Sequence, residues 1–294
     1  MTDITCVDKT YSTTRLLTQE KPAIENKPED KFESVLFFPA GEGRQSEGGL
    51  RTQGYFKTSL PDKPLITIVT VVFNGDKFLE ETIQSVINQT YDNVEYIIID
   101  GGSTDGTLDI IRQYEHAIDY WVSERDGGIY DAMNKGWALS MDFTRILFLG
   151  AGDIIRTMPT AAEILENSDK IIYGVVALHD RIFKSISNWR LKLGNTLHHQ
   201  ALLVPKKHHK SPPFDLAFRV YADYDFNLRL YMKGVEFVFS PSFESYALPD
   251  GISAKLDIAE MSRVSRNNCG LFWGVASWIY CFIKSKKALL NEFL

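Results

Sequence analysis

The stretch LITIVTVVF (65–73) constrains this chain more than any other. It is a continuous run rich in β-branched residues, the mark of a strand buried on both faces. Asn74-Gly75 then breaks it. Such a strand needs helices above and below it, and the following residues supply them. DKFLEETIQSVINQ (76–89) places Phe78, Leu79, Ile83, Val86 and Ile87 on one helical face. VEYIIID (94–100) reads as a second buried strand, TLDIIRQY (107–114) as a helix and IDYWV (118–122) as a third strand. IYDAMNKGWALS (129–140) reads as a helix and RILFL (145–149) as a fourth strand. Strand and helix alternate, which predicts an α/β fold with a doubly wound, mostly parallel sheet. Ligands of such sheets sit beyond the carboxyl ends of the strands. Asn74, Asp100 to Gly102 and Asp153 all follow strand ends, so they are expected along one edge.

The flanks are less regular. Residues 1–34 are polar, with Pro22 and Pro28, and read as a flexible arm or loosely docked extension. Residues 35–64 read as a lead-in that packs on the domain without joining its sheet. The expected organisation is an N-terminal extension over 1–60, a main domain over 61–255 and a C-terminal helical tail over 256–294. A formal net charge of −6 argues against nonspecific nucleic-acid binding, which needs a basic footprint. Cys6, Cys269 and Cys281 show no metal-ligand spacing and suit a reducing compartment. No basic, then apolar leader opens the sequence, so a cytoplasmic protein is expected.

RILFLGAGDII (145–155) poses the chemical question. Gly150-Ala151-Gly152 resembles a dinucleotide-binding turn, but the third glycine position holds Ile155. The turn also follows the fourth strand rather than the first, which disfavours a nicotinamide dehydrogenase. The glycines instead make room for a ligand approaching Asp153. Mg²⁺ or Mn²⁺ takes few carboxylates and otherwise uses water and phosphate oxygens, so one Asp facing a diphosphate would serve. Alternatively, Asp153 caps a helix starting within GDIIRTMPTAAEIL (152–165).

Several stretches together resemble one family. ITIVTVVFNGDKFLEETIQSVINQTYDNVEYIIIDGGSTDGT (66–107) is similar to the nucleotide-binding half of family 2 glycosyltransferases, which have an A-type glycosyltransferase fold. SERDGGIYDAMNKG (123–136), FLGAGD (148–153), HHQALLVP (198–205) and ADYDFNLRL (222–230) resemble its middle, metal-binding and acceptor-side segments, in order over residues 61–245. The resemblance implies that Thr70, Phe73 and Asn74 line the base and ribose pocket. It implies that Asp100 faces the nucleoside and Asp126 the diphosphate or sugar. Asp153 would ligate the metal, Asp223 would be the catalytic base, and Arg229 would support the site. The implied reaction is a metal-dependent, inverting transfer from a nucleotide sugar, with UDP the expected carrier, to a hydroxyl of a glycan or lipid-linked acceptor.

Asp223 and Asp225 lie two apart, so on a helix only one faces the sugar, and Asp225 is spaced to pair with Arg229. Two departures stand out. Many relatives carry two acidic residues where this chain has Asp100-Gly101-Gly102, and Asp-Asp where it has Gly152-Asp153. A nucleotide-sugar-binding protein without turnover is therefore the alternative, opposed by the retention of Asp153 and Asp223. Adjacent His198 and His199, read as strand residues, would point to opposite faces, and His199 is the expected donor or acceptor contact. CGLFWGVASWIYCFI (269–283) lacks charge and is flanked by Arg263, Arg266, Lys284, Lys286 and Lys287. It suits either a helix lying on the inner membrane surface or one packed on the core or in a homo-oligomer interface.

Overall fold

The computed structural model describes residues 3–24, 33–41, 43–179, 181–208, 212–249 and 256–292, with side chains as far as Lys286. Its centre is the expected parallel sheet: β2 (Ile66–Val72), β3 (Val94–Asp100), β4 (Tyr120–Glu124) and β5 (Arg145–Gly150), in the order β4-β3-β2-β5. Every residue of β2 and β3 is buried. Ile66, Ile68 and Val72 enter one apolar layer with Leu79, Ile83, Val86 and Ile87 of α1 (Leu79–Ile87) and Ile111 of α2 (Thr107–Gln113). Val69 and Val71 enter the opposite layer with Met133 and Trp137 of α3 (Ile129–Leu139). Phe78 departs from expectation: it precedes the first turn of α1 and is exposed. Helix α3 approaches β2 so closely that a Cβ on Gly136 would stand 2.2 Å from Val69 Cγ1.

The chain steps from β2 to β3 to β4 on one side and then returns through α3 to place β5 on the other side of β2. This reversal of strand order beside β2 marks the carboxyl ends of β2 and β5 as the usual ligand position in such sheets.

Beyond β5 the sheet continues as β9 (Leu202–Pro205), β7 (Ile171–Ala177), β10 (Phe237–Tyr246) and β6 (Ile154–Thr157), with β8 (Ile182–Lys184) on β7. Within the sheet, antiparallel pairing enters with these strands and with β1 (Arg44–Gly48), which pairs with β4. β1 corrects the reading of residues 35–64, since part of that lead-in joins the sheet as its edge. Its residues, RQSEG, carry no apolar alternation; the strand is held by backbone pairing and by Arg44 against Glu124 at 2.9 Å.

The N-terminal residues are firmly docked where described. Ser12, Thr13, Thr14 and Leu17 are buried, and Thr13 donates to the Ala117 carbonyl at 2.7 Å. Residues 25–32 of the expected arm lie outside the described residues. After β6, α4 (Ala161–Glu166) covers one edge. Helix α5 (Ala222–Met232) covers the α3 face, backed by α6 (Ile258–Cys269) and α7 (Leu271–Glu292), which meet at Gly270 with φ 92°.

Candidate active site

The loop after β2 begins with Phe73, 64% exposed, and turns at Asn74, whose φ of 51° is left-handed. Asn74 is tied to the loop after β3: its amide donates to Ser103 Oγ at 2.7 Å and its Oδ1 accepts from Thr104 N at 2.9 Å. Asp100 is fully buried, and its carboxylate accepts from Gly102 N, Ser103 N, Ser103 Oγ and Ser123 Oγ. That carboxylate therefore shapes the loop rather than opening towards a ligand. Thr70 likewise points into the α1 and α2 layer, 3.0 Å from the Tyr96 hydroxyl. Asp126 fills the space beside Gly101, where a Cβ would stand 2.5 Å from its Oδ2. Burial raises the Asp126 carboxyl above its ordinary value, against the Gly128 N–H that stabilises the anion. A carboxylate from the β4 side thus occupies the place next to Asp100 where the sequence has glycine.

The loop after β5 packs against the loop after β2: a Cβ on Gly75 would touch Ala151 at 3.0 Å. Gly152, with φ 98°, donates to Thr82 Oγ1 at 2.8 Å. Asp153 caps no helix; β6 follows at once, and α4 starts later under its own Thr160–Glu163 capping box. The Asp153 carboxylate accepts from Gly150 N at 2.7 Å and Leu248 N at 3.2 Å. Burial raises its proton affinity, partly offset by the nearby His199 charge. Among the described residues no three His, Cys, Asp or Glu side chains converge as a metal site. Asp153 alone does not hold a cation. Gln200 also donates to this carboxylate and Leu248 packs on Gly152, yet the roughly four lone-pair sites of the carboxylate are not all taken. That donor set fits a Mg²⁺ or Mn²⁺ ion that arrives on a diphosphate and takes one protein carboxylate.

Asp223 stands in the first turn of α5, where the helix N-terminus favours an anion. The three residues before that helix are fixed from behind, because Glu260 of α6 accepts the amides of Arg219, Val220 and Tyr221. Asp223 Oδ1 accepts from Tyr224 N at 2.8 Å; the Tyr130 hydroxyl lies 3.2 Å from it, with its proton shared with the closer Val220 carbonyl at 2.6 Å. Its Oδ2 lies 3.4 Å from both His199 Nδ1 and Asn195 Nδ2. Burial alone would raise the Asp223 carboxyl; the hydrogen bond and charge of His199, with the Tyr224 amide, outweigh it and hold it low. His199 shows the converse: burial disfavours its charged form, but Asp223 and then Asp153 raise its proton affinity. Phe148, Leu202, Phe214 and Phe226 form an apolar wall around this pair.

The sequence reading is corrected at the histidines, because His199–Ala201 is a 3₁₀ turn and not a strand. His198 packs at a 59° tilt against Phe183, with ring centroids 4.3 Å apart, while His199 faces Asp223. Arg229 pairs with Asp225 at 2.8 Å and lies over the Phe226 ring, nearly two turns beyond Asp223. Two site residues escaped the sequence: Tyr130, hidden among the apolar positions of α3, and Asn195, in a loop without periodic signal. The structure thus gathers Asn74, Asp126 and Asp153 at the strand ends, with His199 and Asp223 across from them.

The sheet is thus a doubly wound α/β sheet with a topological switch point, and Asp223 is a buried carboxylate whose proton affinity is held low by His199. Residues 67–223, more than half of the chain, match the family model of glycosyl transferase family 2. The chain is 33% identical over 181 residues to the PGL/p-HBAD biosynthesis glycosyltransferase of Mycobacterium bovis (strain BCG / Pasteur 1173P2), covering 57% of this chain and 70% of that one. It is 38% identical over 78 residues to the putative teichuronic acid biosynthesis glycosyltransferase TuaG of Bacillus subtilis (strain 168), 26% of this chain and 29% of that one. Among solved structures, S. aureus TarS superposes with a TM-score of 0.53 at 17% identity, over 69% of this chain and 38% of TarS. Its 1–349 fragment in complex with UDP superposes at 0.52 and 16% identity, over 68% of this chain and 63% of the fragment. The chain belongs to glycosyl transferase family 2, and it has the A-type glycosyltransferase fold.

Proposed function

We propose that this protein transfers a sugar from a UDP-linked donor to a hydroxyl of a glycan or lipid-linked acceptor, with inversion, and that Asp223 is the base. The observation that carries the reading is the Asp223 environment: a carboxylate whose proton affinity is held low by His199, with the Tyr224 amide and Asn195 fixing its direction. The acceptor hydroxyl gives its proton to Asp223 as its oxygen bonds to the anomeric carbon, and the bond to the diphosphate breaks on the opposite face. A carboxylate is basic enough because the proton moves as the bond forms. Phe73 and Asn74 would meet the nucleoside, and Asp126 the sugar or diphosphate. A divalent cation bound by the donor and Asp153 would neutralise charge on the departing diphosphate. UDP is supported by the UDP complex of the similarly folded TarS fragment, and a biosynthetic role by relatives named for PGL/p-HBAD and teichuronic acid biosynthesis.

The test is release of nucleoside diphosphate from a panel of nucleotide sugars, with Mn²⁺ or Mg²⁺ and with EDTA. The expected result is turnover of one UDP-sugar that needs the ion and is lost in Asp223→Asn and Asp153→Ala. Tight donor binding without turnover, in the presence of varied acceptors, would favour a binding protein. No binding of any nucleotide sugar would overturn the reading.

A further inference from the structure

Helix α7 has two unlike faces. Gly274, Ser277 and Cys281 point inward: Gly274 sits over Arg266 of α6, and Ser277 Oγ donates to the Leu193 carbonyl at 2.9 Å. On the other side Leu271, Phe272, Val275, Trp278, Phe282 and Ile283 recur at helical spacing and are 41–75% exposed. A contiguous apolar surface of this kind marks an interaction site. Residues 261–291 contain five lysines and arginines and no acidic residue, in a chain of net charge −6. Lys286 sits 5.6 Å from the centre of the Phe282 ring, and Arg266 lines a groove with Leu271, Val275 and Trp278. Among the described residues no helix is long and apolar enough to cross a membrane. An apolar stripe bordered by cations suits a helix that lies in a bilayer interface. A second copy of the same face would bring like charges together, whereas anionic headgroups complement them.

We propose that this face of α7 docks on an anionic lipid bilayer and holds the acceptor side of the cleft at the membrane surface. The second half rests on the transferase reading above. The connection is structural: α6 and α7 hold both segments that position Asp223. Glu260 fixes residues 219–221, and the Leu193 carbonyl, bonded by Ser277, lies two residues before Asn195, which meets Asp223. Docking the helix pair therefore orients the base rather than a loosely tethered domain.

The experiment is flotation of the full chain with vesicles of phosphatidylcholine, with or without phosphatidylglycerol, at low and high salt. The wild type is expected to float with the anionic vesicles at low salt. Its partitioning should fall about tenfold or more with neutral vesicles or high salt. Trp278→Glu/Phe282→Glu should lose flotation, and Lys284→Gln/Lys286→Gln should lose its salt dependence. Both variants should keep wild-type melting and vesicle-free donor hydrolysis, because the altered side chains are exposed. Absence of wild-type flotation on anionic vesicles, or flotation indifferent to both variants, would overturn the proposal. So would a concentration-dependent dimer that disperses in Trp278→Glu/Phe282→Glu without vesicle binding. Flotation with no donor hydrolysis would count against the transferase reading alone and leave the docking intact.

Discussion

The two ends of the parallel sheet both bury charge, and they do so differently. At the amino ends of the strands, Arg51 meets Glu95 at 2.6 Å, with both side chains at most 2% exposed. Arg51 also donates to the Leu36 and Leu139 carbonyls, and Glu95 accepts from Thr67, which pairs with Thr144 at 2.8 Å. Nearby, the Lys206 ammonium reaches Ser34 Oγ at 2.7 Å, fastening residues before β1 to the sheet. At the carboxyl ends, Asp223 meets His199 and Asn195 at 3.4 Å each, beside a small cavity walled by Phe148, Phe214 and Phe226. Short, closed contacts leave nothing for a ligand to gain. On the proposed reading, the long contacts at Oδ2 leave that oxygen able to tighten on a substrate hydroxyl, while Oδ1 is anchored by the Tyr224 amide.

The comparison is broken most severely by Asp223→Asn, which should cut turnover roughly a hundred- to ten-thousand-fold while shifting unfolding far less. Kinetics and thermal melting measured on one preparation check this. Arg51→Met is the mirror image: it strands Glu95 in the interior and should cost about 3–5 kcal/mol of stability. The folded fraction should keep its kcat/KM. Equal losses of rate per folded molecule in the two variants would erase the distinction between the ends.

His199→Gln sharpens the contrast through pH. With its cationic neighbour removed, burial dominates Asp223, so the acid limb of the kcat/KM profile should move to higher pH. Stability should respond as well. The raised His199 contributes fully below the ordinary imidazole value, and that contribution is lost as pH rises through its raised value. The lowered Asp223 contributes above the ordinary carboxylate value, and that is lost as pH falls through its lowered value. Denaturant unfolding across pH should therefore show a broad optimum between the two titrations, flattened in His199→Gln. Ser123→Ala makes the smallest change expected, about 1–2 kcal/mol, by taking one of several donors from Asp100. A larger loss of donor affinity than of stability would show that Asp100 itself faces the nucleoside.

The parallel core was legible because burial on both faces leaves a mark in composition. β2 and β3 are apolar enough to be recognised alone, and the α1 face needed only Phe78 removed. β1 was not legible. An edge strand of alternating polar residues is specified by backbone pairing and ion pairs, which hydropathy does not record. The N-terminal stretch was hidden for the same reason: its buried residues include Ser12, Thr13 and Thr14, whose polar groups find partners only in the folded chain.

At the site the same division holds. The strand pattern alone sends Asn74, Asp100 to Gly102 and Asp153 to one edge, since residues just after parallel strands share an end of the sheet, and helical spacing alone pairs Asp225 with Arg229. What the spacing could not determine is where each carboxylate points. Asp100 turns into its own loop, Asp126 takes the space left by Gly101, and Asp223 is held by residues from three other segments. Direction and proton affinity depend on neighbours distant in sequence, and only the tertiary structure brings those neighbours together.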